Sequence, residues 1–159
     1  MKRRVYLETT VVSYLTARPS RSLVSAAHQQ ITIDWWETRR QDFEVVVSEL
    51  VIREAEAGDP IAAKRRLEVL ETLPQLLLTD EALELANAFV AQGIIPAKVA
   101  EDGLHIAVAT VHEVDYLLTW NCTHIANPEI QARLAAFLGR RQRFLPFICT
   151  PEELLGGEE

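Results

Sequence analysis

Short apolar runs alternate along the chain with longer segments in which hydrophobic residues recur every three or four positions. Each run is bounded by polar or charged residues and lacks the strict alternation of a half-exposed strand, which predicts strands buried on both faces. Four such runs occupy residues 4–7, 43–47, 76–78 and 115–120. A fifth, at residues 144–148, contains Pro146, which favours the edge of a sheet because proline has no N–H to donate.

The segments between these runs have the spacing of amphipathic helices and the residues that commonly begin them. Thr9 and Thr10 are predicted to cap the first helix, Ser48 and Thr79 to cap two later ones, and Pro128 to open the last. The predicted helices cover residues 11–15, 23–40, 50–55, 61–73, 80–91, 99–111 and 128–141.

Strands that alternate with helices are typical of a parallel sheet, because each parallel pair needs a crossover connection that covers one face. We therefore predict an α/β fold, in the form of a single three-layer α/β/α domain with a mostly parallel central sheet. The domain is expected to span residues 1–150, followed by a short C-terminal tail at residues 151–159.

The composition fits one globular domain, but the charge is unevenly distributed. The chain has 159 residues, of which 48% are hydrophobic and 25% charged. Its net charge of −7 argues against a general nucleic-acid coat protein, which normally has a basic surface. The acid excess lies in residues 67–132, where ten acidic residues accompany a single lysine.

The sequence predicts neither export nor a membrane span. Glu8 interrupts the apolar run behind the basic N-terminus, and no stretch approaches the roughly 18 apolar residues that cross a bilayer. The two cysteines, Cys122 and Cys149, match no disulfide framework. A reducing cytoplasm is the expected location.

Acidic and amide side chains follow several predicted strands, at the end where ligands bind in open parallel sheets. Glu8 follows the first strand and Asn121 the fourth, while Glu101 and Asp102 begin the helix that precedes the fourth strand. The second strand leads to two acids, Glu49 at once and Glu54 further along the helix. Four separate segments thus bring oxygen ligands toward one edge of the sheet.

These oxygen donors favour a hard divalent cation. Converging carboxylates repel one another unless a cation binds or some stay protonated, and oxygen ligands suit Mg²⁺ or Mn²⁺. No glycine-rich phosphate loop follows a strand and no G-x-S-x-G turn occurs, which argues against nucleotide-binding and serine-hydrolase sites. A carboxylate-bound metal can activate water for attack on a phosphodiester.

Three segments follow one another in a familiar order: VYLETTVVSYL, VVVSELVIREA and EDGLHIAVATVHEVDYLLTWN. In this order and at these intervals they resemble the PIN-domain family. That family comprises metal-dependent nucleases and includes the VapC-type toxin ribonucleases of bacterial and archaeal toxin–antitoxin pairs. The resemblance extends over nearly the whole chain.

The resemblance implies an Mg²⁺- or Mn²⁺-dependent endoribonuclease that hydrolyses RNA phosphodiester bonds as the toxin of a type II toxin–antitoxin pair. Glu8, Glu54 and Asp102 fall on the family's metal-binding acids, and Asn121 on its fourth catalytic position. The resemblance also implies an RNA substrate, a cognate antitoxin protein as partner, and a homodimer.

Two departures from the family pattern leave alternatives open. Glu8 stands where the family usually has Asp, and Asn121 where Asp is common, which would weaken metal binding or remove a second metal. A catalytically weakened or inactive PIN-like module that binds RNA or a protein is therefore the alternative function. An unrelated α/β phosphotransfer enzyme is a third possible function. It would need an aspartyl nucleophile or a phosphate cradle after the first strand, and the segment there supplies neither.

Some residue assignments also stay open from the sequence. Glu49 competes with Glu54 as the ligand, and the number of metals is not fixed. His105, three residues after Asp102, either contacts that acid or fills the interface between helix and sheet. Trp35 and Trp36 are expected in the core and at its margin. Basic residues at 39–40, 64–66 and 140–143 would hold an RNA backbone if two of these groups flank the acidic edge.

Overall fold

A computed structural model of the chain describes residues 1–156 and contains one five-stranded sheet. All neighbouring strands pair in parallel, in the spatial order β3-β2-β1-β4-β5. The strands are β1 (Arg3–Leu7), β2 (Phe43–Ser48), β3 (Gln75–Leu76), β4 (Tyr116–Leu118) and β5 (Phe147–Cys149). The predicted parallel sheet is confirmed, and β5, which follows Pro146, lies at its edge as expected.

Within residues 1–156, seven α-helices cover the sheet in two groups. They are α1 (Thr9–Thr16), α2 (Leu23–Thr38), α3 (Glu49–Ala55), α4 (Pro60–Leu70), α5 (Asp80–Ala91), α6 (Ala100–Val111) and α7 (Pro128–Gly139). Helices α1 to α4 pack among themselves, whereas α5 packs on α6 and contacts α7 through Phe89 and Phe137. Right-handed crossovers require this division, because the chain moves one way across the sheet after β1 and β2 and the other way after β3 and β4. The result is the predicted three-layer α/β/α domain.

The strands of the sheet centre are buried on both faces. Val5, Tyr6 and Leu7 of β1 are fully buried, and Leu117 and Leu118 of β4 pack beside them. Helix α6 is also enclosed, with every residue from 103 to 110 buried. Burial from both sides explains why the strands appear in the sequence as unbroken apolar runs.

The predicted helices and strands exist, but several boundaries differ. The helix predicted at 61–73 ends at Leu70, since the chain turns there toward Pro74, which cannot continue a helix. The strand predicted at 144–148 begins only at Phe147, whose N–H bonds Asp115, because Pro146 has no N–H to pair. The strand predicted at 115–120 is limited to β4, and residues 119–121 leave the sheet to reach its carboxyl edge.

Two of the predicted helix caps are confirmed, and the predicted cap of α1 is wrong. Ser48 and Thr79 cap α3 and α5 as expected, by accepting hydrogen bonds from Val51 N and Ala82 N. The cap of α1 is instead Glu8, whose carboxylate accepts from Thr10 N. Thr9 and Thr10, predicted to be the caps, lie inside the helix and use their hydroxyls on carboxylates.

The basic groups do not flank the acidic edge as a pair. Residues 39–40 precede β2 and residues 140–143 precede β5, so both groups lie at the amino edge of the parallel strands, opposite Glu8. The third group includes Arg66, which donates to the carbonyls of Ala55 and Ala57.

The two tryptophans and the C-terminal tail were also the subject of predictions. Trp35 is buried and Trp36 partly so, as predicted. Residues 151–154 of the predicted tail form turns, and residues 157–159 lie outside the described part of the chain. Within residues 1–156, no helix has both the length and the apolar character needed to cross a membrane.

Candidate metal centre

The carboxyl edge of the sheet carries an open cavity of about 730 Å³. Glu8 follows β1, Glu54 comes from α3, Asp102 from the first turn of α6, and Asn121 from the segment after β4; all four line this cavity. Parallel strands end at the same edge, which is why residues more than a hundred positions apart meet there.

Glu8 is held by hydrogen bonds at both carboxylate oxygens. It is only 4% exposed, although it is an acid. Its Oε1 accepts from the hydroxyls of Thr10 at 2.5 Å and Thr119 at 2.6 Å, and its Oε2 accepts from the backbone N–H of Thr10 at 3.1 Å. These donors satisfy the buried carboxylate and fix its orientation.

Glu54 is held through a single oxygen. Its Oε1 accepts from the hydroxyl of Thr9 at 2.5 Å and lies 2.6 Å from Nε2 of His105. Burial raises the pKa of Glu54, but the hydrogen bond and charge of His105, with the Thr9 hydrogen bond, outweigh it and lower the pKa. A side-chain interaction with the exposed Glu101 acts in the same direction. Glu54 is therefore ionised at neutral pH.

His105 connects Glu54 to the protein core. The imidazole is 1% exposed, and its Nδ1 lies 2.7 Å from the hydroxyl of Tyr6, which in turn lies 2.8 Å from Ser48 Oγ. Burial lowers the pKa of His105, but the Glu54 hydrogen bond and the nearby carboxylates reverse the effect and raise it. Burial also raises the pKa of Tyr6, so its hydroxyl keeps its proton.

The side chains of Asp102 and Asn121 are held by fewer contacts than those of the two glutamates. Asp102 Oδ2 lies 3.4 Å from Nδ1 of His124, and both side chains are about a quarter exposed (21% and 25%). Asn121 Oδ1 accepts from the backbone N–H of His124 at 3.1 Å, which stabilises the loop after β4. Both residues border the cavity from the side of α6 and β4.

The residues present fit a divalent cation. Glu8, Glu54 and His105 each offer a ligand atom, and these atoms all lie within 4.8 Å of one another. Two carboxylates this close repel one another unless positive charge is nearby. Carboxylate oxygens are also the ligands that Mg²⁺ and Mn²⁺ prefer. Asp102 lies outside this close group but lines the same cavity.

The structure shows where the residues of two open pairs of alternatives lie. Glu49 is exposed and its Oε2 accepts from Leu78 N at 3.4 Å, beside β3, whereas Glu54 lines the cavity. His105 is buried in the core as one interpretation required, but its carboxylate partner is Glu54 and not Asp102. The sequence indicated the contact only by placing a histidine on the apolar face of α6. The spacing of residues could not identify Glu54 as the partner of that histidine.

Sequence reasoning missed the residues that hold the acids. Thr9, Thr10 and Thr119 all donate hydrogen bonds to Glu8 or Glu54. It also missed Arg18, which lines the cavity from the turn after α1. Thr9 and Thr10 stand beside a predicted helix start, where threonines are usually caps, and Thr119 follows a strand, so nothing in the pattern set the three apart.

Comparison with known proteins gives a structural match. No family and no curated protein matches the sequence. A solved chain from VapBC2 of Rickettsia felis, bound to a DNA fragment from their promoter, is similar over 92% of this chain and 98% of that chain. The TM-score is 0.58 and the sequence identity 14%. The match confirms the predicted α/β/α fold.

Proposed function

We propose that the chain is an Mg²⁺- or Mn²⁺-dependent endoribonuclease, the toxin of a type II toxin–antitoxin pair. The observation that carries the proposal is the convergence of Glu8, Glu54, Asp102 and Asn121 on one cavity, with the two glutamates held in place by hydrogen-bond donors. The fold match to a VapBC2 chain supports the same function.

Glu8, Glu54 and Asp102 would hold the metal, and Asn121 completes the site. A bound divalent ion would activate water and offset negative charge as the phosphodiester is cleaved. The protein supplies the orientation of the acids: Thr10 and Thr119 hold Glu8, while Thr9 and His105 hold Glu54. Preorganised ligands avoid reorganisation at the moment of reaction.

The assembly that the resemblance implies is part of the proposal. The chain acts on RNA in the cytoplasm, is held inactive by a cognate antitoxin protein, and forms a homodimer. The VapBC2 neighbour, a complex bound to promoter DNA, supports an antitoxin partner.

One observation favours the alternative function, a PIN-like module that binds RNA or protein without catalysis. Asn121 uses Oδ1 on the backbone of its own loop and carries no charge. A site with fewer charged ligands than the family's usual set binds metal more weakly. The two functions differ in a testable way: the nuclease needs the site acids both for metal binding and for RNA cleavage, whereas the binding module cleaves no RNA.

Cleavage of a fluorescent RNA with Mn²⁺ or with EDTA separates these functions. We expect cleavage only with Mn²⁺ and its loss in Asp102→Asn. Glu84→Gln, which neutralises an exposed acid of α5, is the matched control and should cleave normally. Absence of cleavage by the unmodified protein would reject the nuclease and leave the binding module, and equal cleavage by Asp102→Asn would reject this site as the source of the activity.

A further inference from the structure

A buried row of polar side chains runs from the core to the candidate metal centre. It begins at Ser48 Oγ, passes through the hydroxyl of Tyr6 and the imidazole of His105, and ends at the Glu54 carboxylate. The successive distances are 2.8, 2.7 and 2.6 Å. These residues come from β1, β2, α3 and α6, so the row joins four elements of the fold.

We propose that His105 is a positioning residue that fixes the Glu54 carboxylate for metal binding through a hydrogen bond from Nε2–H. The inference rests on the proposed metal-dependent function. It assigns His105 to the orientation of a ligand, and not to the metal itself.

The direction of the Glu54 contact follows from the groups involved. An ionised carboxylate only accepts hydrogen bonds, so Nε2 of His105 must carry the proton that lies between them. The other ring nitrogen has a partner in either protonation state. Tyr6 can donate to Nδ1 of a neutral ring or accept from Nδ1–H of a charged one, with Ser48 completing the row in both cases. The proton on Nε2 is common to both arrangements.

Two donors on one oxygen restrict the carboxylate. His105 and Thr9 both bond Oε1 of Glu54, so the group cannot rotate about its terminal bond without breaking both contacts. Oε2 receives neither donor. Glu8 is fixed differently, by threonine hydroxyls and a backbone N–H next to it in space. Glu54 comes from a helix surface and relies on His105 for its connection to the core.

Burial explains why the residue that performs this role is itself rigid. The His105 ring packs edge-on against the Tyr6 ring, with centroids 5.8 Å apart, and both side chains are fully enclosed. Partners of metal ligands that set the ligand's orientation typically change metal affinity 10–100-fold when removed. A comparable effect is expected from removing the Nε2–H donor.

The test measures Mn²⁺ affinity by titration calorimetry on His105→Leu, His105→Gln and Tyr6→Phe, with the melting temperature of each metal-free variant recorded beside it. His105→Leu removes the donor and should weaken Mn²⁺ binding about 10–100-fold. His105→Gln keeps an N–H near the position of Nε2 and should restore most of the affinity. Tyr6→Phe removes a hydroxyl that contacts the imidazole and not the Glu54 carboxylate, and should produce a smaller loss.

A histidine elsewhere on the chain is the matched control. His112, just after α6, bonds the carbonyl of Leu77 at 2.9 Å and does not line the cavity. His112→Leu should lower stability at most and leave Mn²⁺ affinity unchanged. If His105→Leu does not fold, a loss of Mn²⁺ affinity in Tyr6→Phe that His112→Leu does not show supports the positioning role, and unchanged affinity in Tyr6→Phe overturns it.

The outcomes separate this inference from the proposed function. Mn²⁺ binding that Glu8→Gln abolishes but His105→Leu leaves intact would overturn the positioning role and leave the nuclease standing. Equal losses in His105→Leu and His105→Gln would also overturn it. A nitrogen hyperfine coupling in the Mn²⁺ electron-spin-echo spectrum of the unmodified protein that is lost in His105→Gln would make His105 a ligand. A protein that binds no Mn²⁺ would overturn both proposals.

Discussion

The hydroxyl of Thr119 donates a hydrogen bond to Glu8 Oε1 at 2.6 Å, across 111 positions of sequence. Thr119 follows β4 and Glu8 follows β1, and these neighbouring strands end at the same level of the sheet because Leu7 pairs with Leu118. The contact therefore depends on strand register. It shows how the parallel sheet, and not the local sequence, orients the buried acid.

Thr119→Val should destabilise the protein and weaken metal binding together. Valine has nearly the same shape but no hydroxyl, so the buried Glu8 Oε1 loses one of its two donors. The loss should lower the free energy of unfolding by about 1–3 kcal/mol, measured by urea denaturation without metal. Mn²⁺ affinity should fall as well, and Thr119→Ser, which keeps the hydroxyl, should recover most of both. Unchanged affinity in Thr119→Val would mean that this hydrogen bond has no part in orienting Glu8.

Glu8→Asp should weaken Mn²⁺ binding even though Asp is the usual residue here in the family that the sequence resembles. The donors around Glu8 are placed for the longer side chain, with contacts at both Oε1 and Oε2. Aspartate withdraws its oxygens by one methylene and loses these contacts. Calorimetric titration with Mn²⁺ measures the effect. Tighter binding by Glu8→Asp would show that glutamate is a defect of the site and would favour the non-catalytic alternative.

Arg18→Ala should weaken RNA binding without changing metal affinity. Of the residues lining the cavity, Arg18 is the one with a permanent positive charge, and it lies in the same cavity as three carboxylates. A phosphate contact of this kind changes the slope of log affinity against log salt by about 1. Fluorescence anisotropy in the Asp102→Asn background avoids cleavage during the measurement. Arg21→Ala, from the same turn but not lining the cavity, is the control and should bind as before. If both arginine variants bind alike, Arg18 does not contact the RNA.

The two cysteines should differ sharply in thiol reactivity. Burial raises the pKa of Cys149 to about 12, with a further contribution from Glu153, whereas Cys122 is exposed. Alkylation requires the thiolate, and a raised pKa leaves less thiolate at pH 8 than an ordinary thiol has. Mass spectrometry after iodoacetamide treatment should find Cys122 modified and Cys149 unmodified until the protein is unfolded. Equal modification in the folded protein would contradict the burial of Cys149.

The fold and the position of Glu8 were accessible from the sequence for physical reasons. Unbroken apolar runs arise because strands such as β1 are covered on both faces, and the rule that ligands bind at carboxyl ends then places Glu8 at that edge. Both inferences depend on patterns that are local in the chain. The same rule left Glu49 and Glu54 in competition, and the choice of Glu54 came from the family resemblance.

The hydrogen bonds that orient these acids were not accessible. His105 and Glu54 are 51 positions apart, and their contact depends on how α3 and α6 meet at the sheet edge. Thr119 follows a strand where nothing distinguishes a ligand-orienting hydroxyl from an ordinary one. The sequence also left open where the basic groups at residues 39–40 and 140–143 lie; the parallel strands of the structure place both at the edge opposite Glu8.

Single-turnover cleavage of RNA by the unmodified protein and by Glu8→Gln, with Mn²⁺ and with EDTA, tests the central claim most directly. Gln keeps the size of the side chain but removes the charge that the proposed metal needs. We predict cleavage by the unmodified protein in Mn²⁺, none in EDTA, and a loss of at least about 100-fold in Glu8→Gln, as expected when a charge-stabilising interaction of the reaction is removed. Cleavage that persists in EDTA or is unchanged in Glu8→Gln would contradict a metal-dependent nuclease built on this site.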